Sequence, residues 1–138
     1  MSYENRDTYG IYKNDYLKQG PGPQLMGADT LIGNDVYNAD EEDLGDIKEI
    51  MLNVSTGDIA YAVLSFGGIL GLGEKLFAVP WNALTLDTEN KRFVLNVSKA
   101  RLEDAPGFDK DAWPDFADKT WIDNIHNFYQ TKPYSSDH

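Results

Sequence analysis

From position 31 onward, apolar residues fall into short runs with turn-forming residues between them. The runs are 31–37, 44–54, 59–66, 76–79, 84–86 and 93–97, each rich in β-branched or aromatic side chains. Such lengths and an alternating pattern predict strands, and the breaks at 38–43, 55–58, 67–74, 80–83 and 87–91 carry the Gly, Pro, Asn, Asp and Ser that turn a chain. Six short strands at even spacing predict a small closed or nearly closed barrel. The clearest pair is 59–66 and 76–79, a β-hairpin whose loop holds Gly67, Gly68, Gly71 and Gly73. Ile69, Leu70 and Leu72 sit among those glycines, so the loop carries apolar side chains that need a place to be buried.

The second run is out of step with itself. Ile50, Leu52 and Val54 share one phase and Ile47 the other, which a bulge near Lys48-Glu49 reconciles. Helical spacing of Leu44, Ile47, Ile50 and Met51 is the competing reading. It is disfavoured because Asn53-Val54-Ser55-Thr56-Gly57 ends in strand and turn chemistry. After the last strand the period changes: Ser98 offers an N-cap to a short helical turn that Pro106-Gly107 stops. Asp118 offers another, to a helix placing Trp121, Ile122, Ile125, Phe128 and Tyr129 on one face. Residues 1–26 are polar and broken by Gly20-Pro21-Gly22-Pro23, which suits neither a helix nor a central strand. Tyr3, Tyr9, Tyr12 and Tyr16 make this arm more aromatic than a simple tail. The expected organisation is an extension over 1–26, a barrel over 27–108 and a helical tail over 109–138.

The ordered set Leu31-Ile32-Gly33-Asn34-Asp35-Val36-Tyr37-Asn38, Leu44-Gly45-Asp46-Ile47 and Thr56-Gly57 carries a family resemblance. It continues through Ala60-Tyr61-Ala62-Val63-Leu64-Ser65-Phe66-Gly67-Gly68, Gly71-Leu72-Gly73-Glu74-Lys75, Phe77-Ala78-Val79-Pro80-Trp81 and Ala105-Pro106-Gly107-Phe108. Over about 27–108 the chain resembles a stand-alone PRC-barrel protein, similar to the cytoplasmic barrel of the photosynthetic reaction-centre H subunit. The resemblance implies a mainly β fold, a six-stranded SH3-like or Sm-like barrel. Members range from a photosynthetic complex to a ribosome-maturation factor and share binding to other proteins. It implies no catalytic residue here, and none of the H subunit's proton-path carboxylates aligns with a position of this chain.

At 138 residues the chain suits one domain with extensions. Its net charge of -11 repels phosphate backbones and anionic membranes, so neither nucleic acid nor a membrane is an expected partner. Cysteine is absent and no apolar run reaches the roughly 20 residues that span a bilayer, so a soluble, cytoplasmic protein is expected. The glycine loop does not read as a phosphate loop, because Gly73-Glu74-Lys75-Leu76 opens a strand and Glu74 opposes an anion. Asp40-Glu41-Glu42-Asp43 reads as a solvated turn before a cation site. Asp109, Asp111 and Asp115 imitate a calcium loop, but Pro114 and Thr120 occupy the positions that need glycine and a bidentate glutamate. His126 has no serine or cysteine in a nucleophilic arrangement with it, and reads as a packing residue of the tail helix. Asn53-Val54-Ser55 and Asn96-Val97-Ser98 match glycosylation acceptors and read as strand ends.

These readings lead to a non-enzymatic interaction module without metal or cofactor, its partner another protein or a second copy, with a homo-oligomer through the loop or tail expected. The expected contact surface is Ile69, Leu70 and Leu72 on the loop, with Trp81, Trp113, Phe116 and Trp121. Folding of the tail over the loop within one chain accounts for the same residues equally well. The alternative function is binding of a small ligand or metal ion at the barrel mouth, glycine loop and acidic turns.

Overall fold

The computed structural model describes residues 25–66 and 75–130. In chain order it holds α1 (Ala28–Leu31), β1 (Asp35–Tyr37), β2 (Asp43–Asn53), β3 (Asp58–Phe66) and β4 (Lys75–Pro80). A 3-10 turn (Trp81–Ala83), β5 (Leu84–Asp87), β6 (Arg92–Leu95), α2 (Lys99–Glu103) and α3 (Lys119–Tyr129) follow. The strands form one curled six-stranded sheet, a half-barrel, in the order β4-β3-β2-β1-β6-β5. Neighbours are antiparallel except β1 and β6, which pair in parallel through Val36 with Phe93 and Tyr37 with Val94.

The expected bulge is present: Ile47 pairs with Leu64 and Glu49 with Val63, so Lys48 has no opposite residue. A second shift follows where Met51 pairs with Tyr61 and Leu52 with Ile59. There the extra residue is Ala60 of β3; each bulge bends its own strand and increases its twist, which is how the long β2–β3 pair follows the curl. Gly45 lets β2 and β3 approach closely: its φ is 111°, and a Cβ there would lie 2.0 Å from the Ser65 carbonyl oxygen.

The first expected strand is shorter than its apolar run. The Gly27 carbonyl accepts from the Thr30 and Leu31 amides at 3.1 and 3.3 Å, and Ile32 donates to Ala28 at 3.0 Å, closing a helical turn. Leu31 reaches the core from that turn, and the strand begins only at Asp35. The last strand also ends early, at Leu95, where Val97 donates back to the Leu95 carbonyl.

The core lies inside the curl, built from Val36, Leu44, Ile47, Leu64, Phe77, Val79, Phe93 and Leu95 and closed by Leu102 of α2. Residues 61–66 of β3 and 76–80 of β4 are buried without alternation. The two faces have different covers: even-numbered β3 residues turn inward, while Tyr61 on the opposite face packs against Phe116, Trp121 and His126 of the tail. Ser98 Oγ caps α2 by accepting from the Arg101 amide at 3.1 Å, and Asp118 Oδ1 caps α3 by accepting from Thr120 at 3.0 Å. Between the helices, Phe108 exchanges two backbone hydrogen bonds with Leu76, at 2.9 and 2.8 Å, and so covers part of the β4 edge.

Candidate functional site

The β1–β2 turn is organised by one buried amide. Asn38 Oδ1 accepts from the amides of Asp40 and Glu42, while its Nδ2 donates to Glu42 Oε1 at 2.7 Å and to the Val97 carbonyl at 3.1 Å. Glu42 Oε1 also accepts from the Lys99 amide. The Asn38 hydrogen bond, then the Lys99 amide, hold the Glu42 carboxyl below its ordinary pKa. Glu41 pairs with Arg92, whose guanidinium lies 4.3 Å from the Tyr37 ring centre, and that hydrogen bond raises the Arg92 pKa. The acidic run 40–43 thus serves as a structural turn joining β1–β2 to β6–α2. Among the described residues no three His, Asp or Glu side chains stand close enough to share a cation.

On the other side of β3 lies an aromatic wall. Phe108, Trp113, Phe116, Trp121 and Tyr61 form a continuous series with neighbouring ring centres 5.0 to 6.3 Å apart. Behind it His126, 2% exposed, places Nε2 2.9 Å from Tyr61 Oη. Burial raises the Tyr61 pKa, which keeps the phenol protonated and able to donate. Burial likewise pushes up the pKa of Tyr129, whose hydroxyl is enclosed without a hydrogen-bond partner among the described residues.

Two depressions open at the Asp58 end of β3. One, of about 380 Å³, is lined by Gly57, Asp58, Ile59, Ala60, Trp81, Asn82 and His126. The other, of about 250 Å³, is apolar apart from Glu49 and is walled by Met26, Leu31, Ile32, Ile50, Leu52 and Ile59. Ile59 borders both and stands opposite Leu52 across the β2–β3 ladder. At this end of the hairpin Leu52 is 56% and Val54 91% exposed.

Of the residues expected at a contact surface, Ile69, Leu70 and Leu72 lie outside the described residues. Trp81 is half-buried, with its ring edge-on to Phe93 and part of it in the larger depression. Phe116 and Trp121 are largely taken up by intrachain packing on Tyr61, whereas Trp113 remains 41% exposed. Asp58, Asn82 and Leu52 were not among the expected contacts. Leu52 and Val54 did carry a signal, since they continue the apolar phase of Ile50 past the point where the core needs it.

Among curated proteins, none matches this chain. The PRC-barrel domain family matches residues 23–102, which include every strand of the curled sheet. The bulged β2, the doubly buried hairpin of β3 and β4, and that match lead to one assignment: the chain belongs to the PRC-barrel family.

Proposed function

We propose that this protein is a non-enzymatic interaction or assembly module that recognises another protein through exposed apolar surface on its barrel. The observation that carries this reading is the end of the β2–β3 hairpin, where Leu52 and Val54 are exposed and Leu52 lines one of two depressions that share Ile59. Exposed apolar side chains next to concave surface, with half-buried aromatics nearby, are how protein contacts are commonly built. Other polar groups of the barrel have structural duties: Tyr61 and His126, beside the larger depression, bind each other, and Asn38 and Glu42, at the far end of β2, fasten a turn.

A photo-crosslinking amino acid placed at position 54 of the full chain, and separately at 113, tests the reading in native cells. Discrete adducts at 54 that are missing from a control placed at the exposed turn residue Asn90 are expected. Uncrosslinked chain at both 54 and 113 would refute it.

The larger depression favours a second reading, in which a small ligand binds beside Trp81, Asn82 and His126. A ligand bound only by the folded chain stabilises it by about 2.7 kcal/mol at a hundredfold excess over Kd, so a metabolite panel followed by thermal melting separates the two readings.

A further inference from the structure

We infer that the two depressions meeting at Ile59 form one docking track for a basic, amphipathic segment of a partner protein. Its apolar side chains would lie against Leu31, Ile50 and Leu52, with a lysine or arginine beside Asp58. This deepens the interaction-module reading and rests on it.

Three observations fix the occupant. The first is continuity. Ile59 lines both depressions, and its cross-strand neighbour Leu52 walls the apolar one while remaining more than half exposed. A segment lying across β2 and β3 at Leu52 and Ile59 therefore borders both.

The second is charge. The carboxylates lining the track are Glu49 in the apolar part and Asp58 in the polar part, and no lysine or arginine lines either. On a chain of net charge -11, this surface attracts a basic segment and repels both acidic peptides and a second copy of itself.

The third is size. The apolar depression, at about 250 Å³, falls below the roughly 300–1,000 Å³ of pockets that enclose a whole small molecule, and the polar one, at about 380 Å³, stands near the bottom of that range. Two shallow adjoining volumes suit separate side chains projecting from one backbone. The chemistry also divides between them. Leu31, Ile32, Ile50 and Leu52 offer only apolar contact, whereas Asp58, the Asn82 carboxamide and the Trp81 aromatic surface can hold a cationic head group.

A random 12-residue phage-displayed peptide library, selected on the immobilised full chain, tests the inference. Enriched peptides are expected to combine lysine or arginine with leucine, isoleucine, methionine or phenylalanine. A synthetic copy of the strongest should lose at least tenfold in affinity to Leu52→Asp and to Asp58→Lys. Both substitutions are at exposed positions, and an unchanged Tm shows that each variant is folded. Replacing the peptide's basic residue by glutamate should restore binding to the Asp58→Lys variant, an outcome that loss of folding does not produce.

Peptides that bind both variants as well as the parent chain overturn the track while leaving an interaction role in place. Selection of acidic peptides, or failure to select any, overturns the basic occupant. Self-association of the parent chain in sedimentation that Leu52→Asp abolishes would assign the track to a second copy instead. The crosslinking result at position 54 is read independently, so failure of this inference and failure of the interaction reading are distinguishable.

Discussion

Replacing Gly45 by alanine puts a methyl carbon where the Ser65 carbonyl oxygen already lies, at a separation of 2.0 Å. Nonbonded heavy atoms are comfortable at roughly 3.5–4.0 Å, so the backbones of β2 and β3 must part by more than 1 Å at this point. The displacement falls beside the pairing of Asp46 with Ser65, and it strains the end of the ladder that carries Ile47 and Leu64 into the core. The φ of 111° adds backbone strain of about 1–3 kcal/mol for an L-residue. Two weakened ladder hydrogen bonds, each worth about 0.5–1.5 kcal/mol net, bring the expected loss to about 4 kcal/mol. Gly57 supplies the control: its φ is also positive, at 81°, but nothing lies within 4 Å of a Cβ built there. Gly57→Ala therefore carries backbone strain alone, about 1–2 kcal/mol. Urea unfolding followed by tryptophan fluorescence measures both variants against the parent chain. Equal losses in the two, within about 1 kcal/mol, would show that the close approach of β2 to β3 is not what demands glycine at 45.

Tyr61→Phe removes the hydroxyl facing His126 while keeping the ring against Trp121 and Phe116, and should cost about 1–3 kcal/mol in the same assay. A loss below about 0.5 kcal/mol would mean that the pair contributes packing alone. Glu42 makes a prediction about pH. Its folded-state pKa is held down by Asn38 and Lys99, so its stabilisation is present above the unfolded-state value and is lost as pH falls through the folded one. The Tm of the parent chain should therefore fall more steeply on acidification than that of a Glu42→Gln variant, and the two curves should converge at the acid end. Parallel curves would remove Glu42 from the acid response.

What could be read from the chain was local. Lys48 announces the β2 bulge because the phase of apolar residues breaks around it, and Ser98 and Asp118 announce helix starts because a cap and the first turn are adjacent in sequence. The helical turn at Ala28–Leu31 was not legible, since Leu31 and Ile32 suit a strand equally well and the deciding hydrogen bonds go to the Gly27 and Ala28 carbonyls. The parallel pairing of β1 with β6, and the Asn38 contact with Val97, bring together residues far apart in the chain with no local mark at either end. The candidate site was partly visible. Trp81, expected at a contact surface, lines the larger depression, but the partnership of Tyr61 with His126 and the meeting of His126 with Asp58 and Ile59 there depend on how the tail folds over β3. The expected role of the glycine loop falls on positions outside the described residues.

The position of β1 has a consequence for the order of folding. β2, β3 and β4 are successive antiparallel neighbours, as are β5 and β6, so each group can assemble from contacts near in sequence. The three residues of β1 are the seam between the two groups, pairing with β2 on one side and β6 on the other. Closing that seam joins Asn38 to Val97 across 59 positions, an entropic cost of about 4 kcal/mol from chain length alone. By loop-closure entropy the pairing of β1 with β6 is therefore expected to form after the locally connected strands, making Val36 and Tyr37 the place where the sheet closes last.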